Sequence, residues 1–413
     1  NFTKIEEDCL ELWSKNKTFT FNKSRIKKPF CIMMPPPNVT GSLHIGHALT
    51  FTLQDILIRF NKKLGKDVLW QPGTDHAGIA TEIVVEKILK ASVNKTKNDL
   101  GRGRFIEKIW DWKKESGDKI INQMRRLGTA VDWNISRFTM DEGLSEAVKE
   151  VFIDLFNRGL IYKDKRLVNW DPKLKTAVSD LEVNQIEKTG KMYFINYDIE
   201  GTKDSVLVGT TRPETLFGDT AIAIHPKNKK LNSLIGKFAI IPILNKSIPI
   251  ISDEYADPLK GSGAVKITPA HDFNDFEIGK KHNLEFVNIF DESANLNKNV
   301  INGYKGLNRF IARKKIIIDL KKLKKIKKIE DNRMTIPVGE RTGEVIEPFL
   351  TNQWFLDAKK MCLSVENAIK EKKINFHPES WMNTFKHWIK NIQPWCISRQ
   401  IWWGHRIPIW YSD

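Results

Sequence analysis

The hydrophobic pattern is clearest in the first third of the chain, where short apolar runs alternate with longer amphipathic stretches. The run Phe30 to Met34 is followed by three prolines, which cannot donate to a sheet ladder or continue a helix. It therefore predicts a buried strand that stops there. Asp67 to Gln71, before Pro72 and Gly73, predicts a second strand. Alternating strands and helices from 30 to about 190 are typical of a parallel sheet.

Helical spacing predicts the elements between these strands. After Gly46 the pattern is helical and stops near Gly65. Apolar residues recur at three- and four-residue spacings, at Ala48, Leu49, Leu53, Ile56, Leu57 and Phe60. Further helices are predicted at 5–13, 76–91, 102–127 and 141–158. The segment between Met34 and Gly46 is therefore a turn from a strand into a helix, which is where α/β sheets bind ligands.

Near residue 190 the pattern changes to short β-like runs separated by turn residues. These runs are Met192 to Ile195, Val206 to Val208, Ala221 to Ile224, Ala239 to Leu244 and Ala264 to Ile267. From about 336 the α/β pattern returns. The sequence predicts a Rossmann-like α/β domain in two parts, 1–190 and 336–413, split by a strand-rich insert at 191–335.

Composition adds a charge bias and excludes several protein classes. The 413 residues carry a formal net charge of +17, which fits either a polyanion partner such as RNA or a general lysine and isoleucine bias. The run Arg313 to Lys328 leaves both interpretations open, since it also suits an amphipathic helix with a solvated basic face. No apolar run is long enough to span a bilayer. The four cysteines lie far apart in the sequence, which favours a reducing cytoplasm over a disulfide framework.

The first candidate chemistry lies in PPPNVTGSLHIGHAL, Pro35 to Leu49. His44 and His47 occupy the first turn of the predicted helix, where free N–H groups and the helix dipole favour an anion such as phosphate. Gly41 and Gly46 would let a flat ligand approach the backbone. A metal is disfavoured because no third ligand accompanies the histidines. The alternative is that both histidines only cap or pack the helix.

The second stretch is GTDHAGIATE, from Gly73 to Glu82. Asp75 follows the second predicted strand, and its carboxylate is placed to meet a ligand ammonium group. The alternative is an ordinary helix N-cap, and one aspartate does not decide between them.

Taken together, these two stretches closely resemble the valyl-tRNA synthetases of the class I aminoacyl-tRNA synthetase family. HIGH is the family's signature, and GTDHAGIAT separates the valyl branch from its isoleucyl and leucyl relatives. The resemblance continues through RLVNWDPKLKTAVSDLEV, TTRPETLFGDTAIAIHP, GSGAVKITPAHDFNDFEIGK and WCISRQIWWGHRIP, and so covers almost the whole chain.

The resemblance implies activation of valine with ATP, Mg²⁺ accompanying the nucleotide, and transfer of valine to tRNA(Val). By the same resemblance, His44, Gly46 and His47 contact ATP, and both histidines are catalytic. Asp75 would bind the valine ammonium group. Pro37 and Asn38 would lie against the amino acid, with Trp403 closing its side-chain pocket. The complete enzyme is expected to be a cytoplasmic monomer without a membrane segment.

The insert is expected to hydrolyse threonyl-tRNA(Val), because threonine is nearly isosteric with valine and a hydrophobic pocket discriminates poorly against an added hydroxyl. By resemblance Asp275 would hold the substrate ammonium group, and Asp272 with Lys266 and Thr268 would receive the threonine hydroxyl. Arg212 and Thr215, in TRPET, complete the expected editing set. For each residue alone, the alternative is a structural ion pair or turn.

Two departures from the family pattern limit the resemblance. Where some relatives carry zinc-binding CxxC pairs, this chain has 171–174 (DPKL) and 338–341 (VGER), so no structural zinc is expected. The family's second ATP signature, KMSKS, does not occur in the 413 residues. The sequence therefore favours the N-terminal half of a synthetase. A free-standing tRNA-binding remnant that only edits, and an inert fragment, are the alternatives.

Overall fold

A computed structural model describes residues 2–21, 27–259 and 261–412. The chain divides into two compact units, Asn1–Arg158 with Ile401–Asp413, and Gly159–Gln400. Both contain helices and strands, so the predicted mixed α/β class is confirmed. The domain boundaries at about 190 and 335 stay a prediction.

The first unit is rich in helices. Its helices are α1 (Phe2–Lys15), α2 (Ile45–Lys63), α3 (Gly78–Val93), α4 (Lys97–Leu100), α5 (Arg102–Arg126) and α6 (Glu142–Asn157). Its strands are β1 (Pro29–Met33), β2 (Asp67–Gln71), β3 (Gly73–Thr74) and β4 (Arg137–Phe138). Each helix and strand predicted in this part of the chain is present, with bounds shifted by at most a few residues.

Strands β1 and β2 pair in parallel, with Phe30 opposite Val68 and Ile32 opposite Trp70. The prediction of a buried first strand is only half correct. Phe30 and Ile32 pack against the core under α2, whereas Cys31 is exposed and Met33 is 73% exposed. The reason is that within the described part of this unit β1 pairs only with β2, and one face of this small sheet is left uncovered.

Helix α2 buries a different face from the one that its hydrophobic spacing suggested. Phe51 and Ile58 enter the core beside Trp70, Ile120 and Met124. The residues whose spacing predicted the helix are largely exposed, among them Leu49, Leu53, Ile56, Leu57 and Phe60. The apolar pattern therefore predicted the helix correctly but not which side chains it buries.

The second unit contains most of the β-structure. Its strands are β5 (Ile161–Asp171), β6 (Thr176–Val178), β7 (Val183–Ile199), β8 (Ser205–Thr210), β9 (Ala221–Ile224), β10 (Phe238–Ile240), β11 (Ser247–Ser252), β12 (Ala264–Ile267), β13 (Ile326–Gly339), β14 (Glu347–Leu356) and β15 (Trp395–Cys396). Its helices are α7 (Phe273–Lys281), α8 (Arg309–Lys322), α9 (Ala358–Lys370) and α10 (Trp381–Lys390). Four short 3₁₀ turns complete the regular structure of the described chain, at Trp133–Ile135, Asp180–Glu182, Pro213–Gly218 and Asn232–Leu234.

Seven strands form the sheet that carries the second unit's main core. The order is β12-β9-β11-β10-β7-β13, and β8 also pairs with β7. Apolar side chains from these strands and from α8 pack into one cluster that includes Tyr197, Val208, Ile250 and Ile316. All five β-like runs predicted from sequence lie in this sheet. The run at Met192 belongs to a 17-residue strand, and the run at Ala239 stops at Ile240.

The lysine-rich run does not form one long helix, as its spacing suggested. Helix α8 ends at Lys322, Lys324 has a positive φ of 56°, and β13 begins at Ile326. The chain changes direction because pairing with β7 places Ile326 opposite Ile195. Local helical spacing is thus overridden by a strand partner more than a hundred residues away.

A smaller antiparallel sheet has the order β15-β14-β5-β6. The 171–174 segment begins at the end of β5, and Thr342, next to the 338–341 segment, donates a hydrogen bond of 2.6 Å from Oγ1 to Asp171 Oδ2. Asp171 Oδ1 also accepts the Lys173 and Leu174 amides. The Thr342 hydrogen bond therefore joins the two loops. No helix within the described residues is long and apolar enough to cross a membrane.

Candidate active sites

The segments that follow β1 and β2 are tied together by backbone hydrogen bonds. The Asp75 amide donates to Pro37 O at 2.9 Å, and the Val39 amide donates to Asp75 O at 3.0 Å. This bridge pairs Asn38 with Asp75 beyond the ends of the strands. Pro37 is buried and Asn38 is exposed. The structure therefore brings three of the predicted valine-site residues together, on one edge of the parallel pair.

Helix α5 holds the turn that leads into the histidine segment. Trp112 Nε1 donates to Val39 O at 2.8 Å, and Ser116 Oγ donates to Gly41 O at 3.3 Å. Two helical turns after Ser116, Gln123 Oε1 accepts the Leu43 amide at 2.9 Å. Residues four and seven apart lie on one helix face, so a single face of α5 fixes this turn.

His44 and His47 form a capping box at the start of α2. The Gly46 amide donates to His44 Nδ1 at 3.1 Å, and the His44 amide donates to His47 Nδ1 at 3.3 Å. Because Nδ1 of each ring accepts a backbone N–H, the neutral ring carries its proton on Nε2. Both histidines therefore cap the helix, and this arrangement leaves an Nε2–H donor on each ring.

The two imidazole rings lie close together, and their surroundings affect the charge of one of them. The ring centroids of His44 and His47 are 4.0 Å apart. Burial, with a smaller contribution from His44, lowers the pKa of His47 below its ordinary value, so its ring is neutral at neutral pH. A Cβ on Gly46 would lie 3.0 Å from His44 Cε1, so the glycine leaves room for the capping ring. A Cβ on Gly41 would meet nothing within 4 Å.

Asp75 presents one carboxylate oxygen to the protein. Oδ1 accepts the Thr139 hydroxyl at 3.0 Å and the Ala77 amide at 3.2 Å, and His76 Nδ1 lies 3.2 Å away. Burial acts to raise the pKa of Asp75, but the hydrogen bonds from His76, Ala77 and Thr139 outweigh it, and the pKa lies below its ordinary value. Asp75 is therefore an anion at neutral pH, and its side chain is about one-third exposed.

Trp403 lies in the same unit and is only 1% exposed. Its Nε1 donates to His76 O at 2.8 Å, and its ring packs in a cluster with Val39, Phe105 and Phe138. The buried Glu82 accepts the Trp403 amide at 3.0 Å. Trp403 is thus packed beside the segments that carry Asn38 and Asp75, although its ring is covered.

A second polar cluster lies in the β-rich unit, where β9 and β12 run antiparallel. Because Ile267 pairs with Ala221, the residues just before β9 lie beside the end of β12. This pairing brings Asp219 next to Lys266 and Thr268. All three side chains are buried.

Lys266 donates its ammonium protons to three protein groups. Nζ lies 2.6 Å from Asp219 Oδ1 and 2.8 Å from Thr215 Oγ1, and it also contacts Thr268 Oγ1. Asp219 also accepts the Thr268 hydroxyl at 2.8 Å and, on its other oxygen, the Tyr197 hydroxyl at 2.7 Å. Of the predicted editing residues, Thr215, Lys266 and Thr268 are therefore in direct contact.

Arg212 belongs to a buried ion network that also involves β14. Its guanidinium contacts Glu347 and Glu214, and its Nη1 donates to His271 O at 3.0 Å. Glu347 also binds Arg309, and Glu214 binds Arg313. The predicted alternative of a structural ion pair fits this geometry, and the Arg212 carbonyl joins the cluster by accepting the Thr215 hydroxyl at 2.9 Å.

Asp272 and Asp275 stand at the start of α7. Asp272 is the exposed N-cap, and its Oδ1 accepts the Asn274 and Asp275 amides. Asp275 is buried, and its Oδ2 accepts the Thr268 amide at 2.8 Å. Burial and the charge of Asp272 raise the pKa of Asp275 to about 7. A buried carboxyl with such a pKa is costly to ionise, which makes Asp275 a candidate functional residue.

Sequence reasoning missed three buried groups here: Tyr197, Asp219 and His271. Asp219 lies inside the quoted TTRPETLFGDTAIAIHP stretch, and its position just before a wholly apolar strand was the available signal. His271 Nε2 accepts the Ile289 amide at 3.0 Å, and burial lowers the pKa of this ring well below its ordinary value. Tyr197 gave no signal, because a tyrosine in a strand is usually a core residue.

Within the described residues, no group of three or more His, Cys, Asp or Glu side chains is placed to hold a metal ion. The four cysteines, Cys9, Cys31, Cys362 and Cys396, are free thiols.

The chain matches a family model described as tRNA synthetases class I (I, L, M and V) over residues 8–413. Among curated proteins it is 53% identical over 410 residues to a valine–tRNA ligase of Pelagibacter ubique, covering 99% of this chain and 46% of that protein. It is 49% identical over 413 residues to the valine–tRNA ligase of Francisella tularensis, covering 100% of this chain and 45% of that protein. The corresponding protein of Bartonella quintana is 50% identical over 434 residues, with coverages of 99% and 48%. This chain thus spans about half the length of the curated relatives that it matches.

Proposed function

The chain belongs to the class I tRNA synthetases, and from this premise we propose that it is the N-terminal half of a valine–tRNA ligase that also edits threonyl-tRNA(Val). The observation that carries the proposal is the identity of about half to valine–tRNA ligases along the whole chain. The two clusters described above support it, since each holds residues suited to one of the two reactions.

In the proposed synthesis, a carboxylate oxygen of valine bonds to the α-phosphorus of ATP, and the bond to pyrophosphate breaks. The ribose hydroxyl of the terminal adenosine then attacks the valyl carbonyl carbon and releases its proton, the bond from that carbon to the phosphate oxygen breaks, and AMP leaves. No protein nucleophile is required, so the protein contributes positioning and charge stabilisation. The Nε2–H groups of His44 and His47, at the positive end of the α2 dipole, would donate to phosphate oxygens. Mg²⁺ would enter with ATP as part of the substrate.

The valine site would be formed by the bridged segments after β1 and β2. Asp75 is an anion whose Oδ2 accepts no hydrogen bond within the described residues, and it would receive the substrate ammonium group. Pro37 and Asn38 would lie along the amino acid, and Trp403 would bound its side chain from the core. The buried position of Trp403 suits a wall of the pocket that is held in place by packing.

The proposed editing reaction is ester hydrolysis. A water oxygen bonds to the threonyl carbonyl carbon, the ester C–O bond breaks, and the ribose oxygen takes up a proton, which releases threonine and intact tRNA. Such a step is needed because an apolar pocket rejects an isostere with one extra hydroxyl only weakly, a limit for which valine–tRNA ligases themselves are the usual example. Asp275 would hold the ammonium group, with Asp272, Lys266, Thr268 and Thr215 around the threonine side chain. Arg212 would support this site through its carbonyl and its ion network.

The proposed architecture places these reactions in separate domains. Residues 1–190 and 336–413 would belong to a Rossmann-like catalytic domain, and residues 191–335 would form the inserted editing domain. The parallel β1–β2 pair and the seven-stranded sheet support this division. The protein would act in the cytoplasm, where tRNA is charged, as a monomer when complete and without a structural zinc ion.

The test is amino-acid-dependent ATP–pyrophosphate exchange with valine, isoleucine, leucine and methionine, using protein translated from the complete reading frame. We expect exchange with valine, and a parallel assay should show release of threonine from pre-formed threonyl-tRNA(Val). Exchange that prefers isoleucine would contradict the valyl assignment. Hydrolysis without any exchange would instead favour the alternative of a tRNA-binding editing protein that lacks synthetase activity.

A further inference from the structure

The tryptophan segment of the first unit, residues 401–404, is anchored to α3 by one side chain. Glu82, on α3, is buried, and its Oε2 accepts the Trp402 amide at 2.8 Å and the Trp403 amide at 3.0 Å. Hydrogen bonds to an ionised carboxylate are stronger than those between neutral groups. Glu82 therefore fixes the backbone from which both indole rings project.

The second oxygen of Glu82 is paired as well. Lys97, on α4, donates from Nζ to Glu82 Oε1 at 2.5 Å, and the same ammonium group lies 5.5 Å from the centroid of the Trp402 ring. A buried carboxylate is costly unless it is paired and hydrogen-bonded, and here both oxygens have partners. Lys97 thus contacts both Glu82 and the tryptophan segment.

Gly78 allows α3 to come close to this segment. A Cβ on Gly78 would lie 3.3 Å from Ile401 Cδ1 and 4.0 Å from Trp403 O, and the φ of Gly78 is +23°, which side chains rarely adopt. Gly78 and Glu82 are four residues apart, so they lie on the same face of α3. One face of α3 thus makes room for the tryptophan segment and also binds its backbone.

The Trp403 ring lies between α3 and the segment that carries Asp75. It meets the Trp110 ring edge-on, with centroids 5.0 Å apart, and its Nε1 donates to His76 O at 2.8 Å. His76 directly follows Asp75 in the chain. A shift of the backbone at Trp403 would therefore move the ring relative to Asp75.

We propose that Glu82, held by Lys97, is a positioning residue of the valine pocket, which fixes Trp403 and thereby sets the preference for valine over larger amino acids. The proposal rests on the valine site proposed above. Glu82 acts through the backbone of the tryptophan segment rather than through contact with the substrate. Such an indirect effect is large, because a displacement of about 1 Å in a site lowers a rate by as much as about a hundredfold.

The experiment compares Glu82→Leu and Glu82→Gln with the parent, in protein translated from the complete reading frame. The measurement is ATP–pyrophosphate exchange with valine and with isoleucine. Both substitutions keep the approximate size of the side chain, but of the two only glutamine offers an oxygen to the amides of Trp402 and Trp403. The pair of variants therefore isolates the acceptor from the bulk of the side chain.

We expect Glu82→Leu to raise the KM for valine about tenfold. The KM for ATP should be unchanged, because the phosphate donors proposed above lie at the start of α2. The preference for valine over isoleucine should fall about tenfold, since one methylene in a fixed pocket is worth about tenfold to two-hundredfold. Glu82→Gln should stay near the parent on all three measures.

Asp55→Leu is the matched control. Asp55, on α2, makes the same two kinds of contact as Glu82, since it accepts the Ala130 amide at 2.7 Å and pairs with Arg59 at 2.6 Å. Neither partner belongs to the tryptophan segment, so this variant should lower the melting temperature and keep the parent preference for valine. If Glu82→Leu does not fold, Lys97→Met decides. It removes the partner of Glu82 Oε1 from a partly exposed position and should lower the preference severalfold.

The outcomes separate the two proposals. If the parent activates valine and Glu82→Leu keeps both the KM and the preference, the role of Glu82 is overturned and the valyl function stands. Equal losses on both amino acids would also overturn it, because they indicate a structural role. So would a Glu82→Gln protein as impaired as Glu82→Leu, because it retains the acceptor. If the parent activates no valine, the valyl function itself is wrong, and the role of Glu82 falls with it.

Discussion

The polar groups of the two candidate sites differ most in how many partners they already have. In the described part of the first unit, His44 and His47 lie at an exposed helix start, and each ring accepts a hydrogen bond at one nitrogen, which caps the helix. Asp75 uses one carboxylate oxygen. In the second unit, Lys266 and Asp219 are buried, and each makes three hydrogen bonds within the protein.

This difference shows two ways of preparing a site for a ligand. Exposed groups with unused donors can bind a highly charged ligand, but water competes for them and their orientation is only partly fixed. A buried network has already met its desolvation cost through internal hydrogen bonds, so its dipoles are held in place before a substrate arrives. The second site should therefore work with the residues that surround it, whereas the first depends more on groups that a ligand or another segment brings.

The largest contrast should appear when both reactions are assayed on the 413-residue chain. We expect hydrolysis of threonyl-tRNA(Val) at low salt, and no valine-dependent ATP–pyrophosphate exchange above background. The phosphate cradle of this family also uses the KMSKS lysines, and that sequence is absent from these 413 residues. Robust exchange with valine would show that the histidine residues suffice to bind the phosphates, and that the first site does not depend on further groups.

The next largest effect should come from Asp275→Ala. Removal of this carboxylate should slow threonyl-tRNA hydrolysis by about a hundredfold, because a buried charged contact to the substrate ammonium group is lost. Valine activation by the complete protein should be unchanged, since it uses the other unit. Unchanged clearance of pre-formed threonyl-tRNA would mean that Asp275 only supports the start of α7.

Asp75→Ala should raise the KM for valine by about tenfold to a hundredfold in the complete protein, through the loss of a charge-assisted contact worth about 1.5–3 kcal/mol. The measurement is valine-dependent ATP–pyrophosphate exchange. Asp141→Ala is the matched control, because Asp141 is a helix N-cap in the same unit and pairs with Arg137. If both variants keep the parent KM, Asp75 is only a structural residue.

The pH dependence of hydrolysis should reflect the raised pKa of Asp275, about 7. An ionised Asp275 is needed to hold an ammonium group, so kcat/KM should rise about fivefold to tenfold between pH 6 and pH 7.5. Above that range the α-amino group of the substrate itself begins to lose its proton. Asp275→Asn should abolish the rise, and a rise that persists in this variant would assign it to another group.

The same pKa gives a stability prediction with a definite sign. Folding raises the pKa of Asp275, so the native state binds the proton more tightly than the unfolded chain. The contribution to stability is therefore complete below about pH 4 and is lost as pH rises to about 7. Asp275→Asn should consequently raise the melting temperature at pH 8. A structural ion pair at this position would give the opposite result, a lower melting temperature in the variant.

The smallest effect should be the stability change in His44→Ala. His44 is an exposed N-cap, and loss of such a cap costs about 1 kcal/mol or less in the free energy of unfolding. We nevertheless expect a large loss of valine activation in the complete protein, because an Nε2–H donor to phosphate is removed. Chemical denaturation and pyrophosphate exchange measure the two quantities. A large decrease in the free energy of unfolding would mean that His44 supports the fold as strongly as the buried residues of the second site do.

Local sequence patterns account for most helices and strands and for much of the candidate chemistry. Prolines after Met34 cannot continue a strand, and the residues at 44–47 favour a helix start, so the strand, turn and helix follow from local sterics and hydrogen bonding. The apolar runs Ala221–Ile224 and Ala264–Ile267 are strands with the predicted bounds. The resemblance in the motifs also indicated the family, because whole signatures are retained in order along the chain.

Which side chains are buried, and which polar groups meet, depends on how the helices and strands pack together. Helix α2 buries Phe51 and Ile58 rather than its more prominent apolar residues, because burial depends on what packs against a helix and not on its own spacing. The end of α8 was set by the pairing of β13 with β7. Asp219 lies 22 residues from Tyr197 and 47 residues from Lys266 in the chain. Its contact with Lys266 exists because β9 lies antiparallel to β12, in the sheet that also contains β7. A hydrogen bond needs a partner within about 3 Å, and for residues so far apart in the chain only the completed sheet provides one.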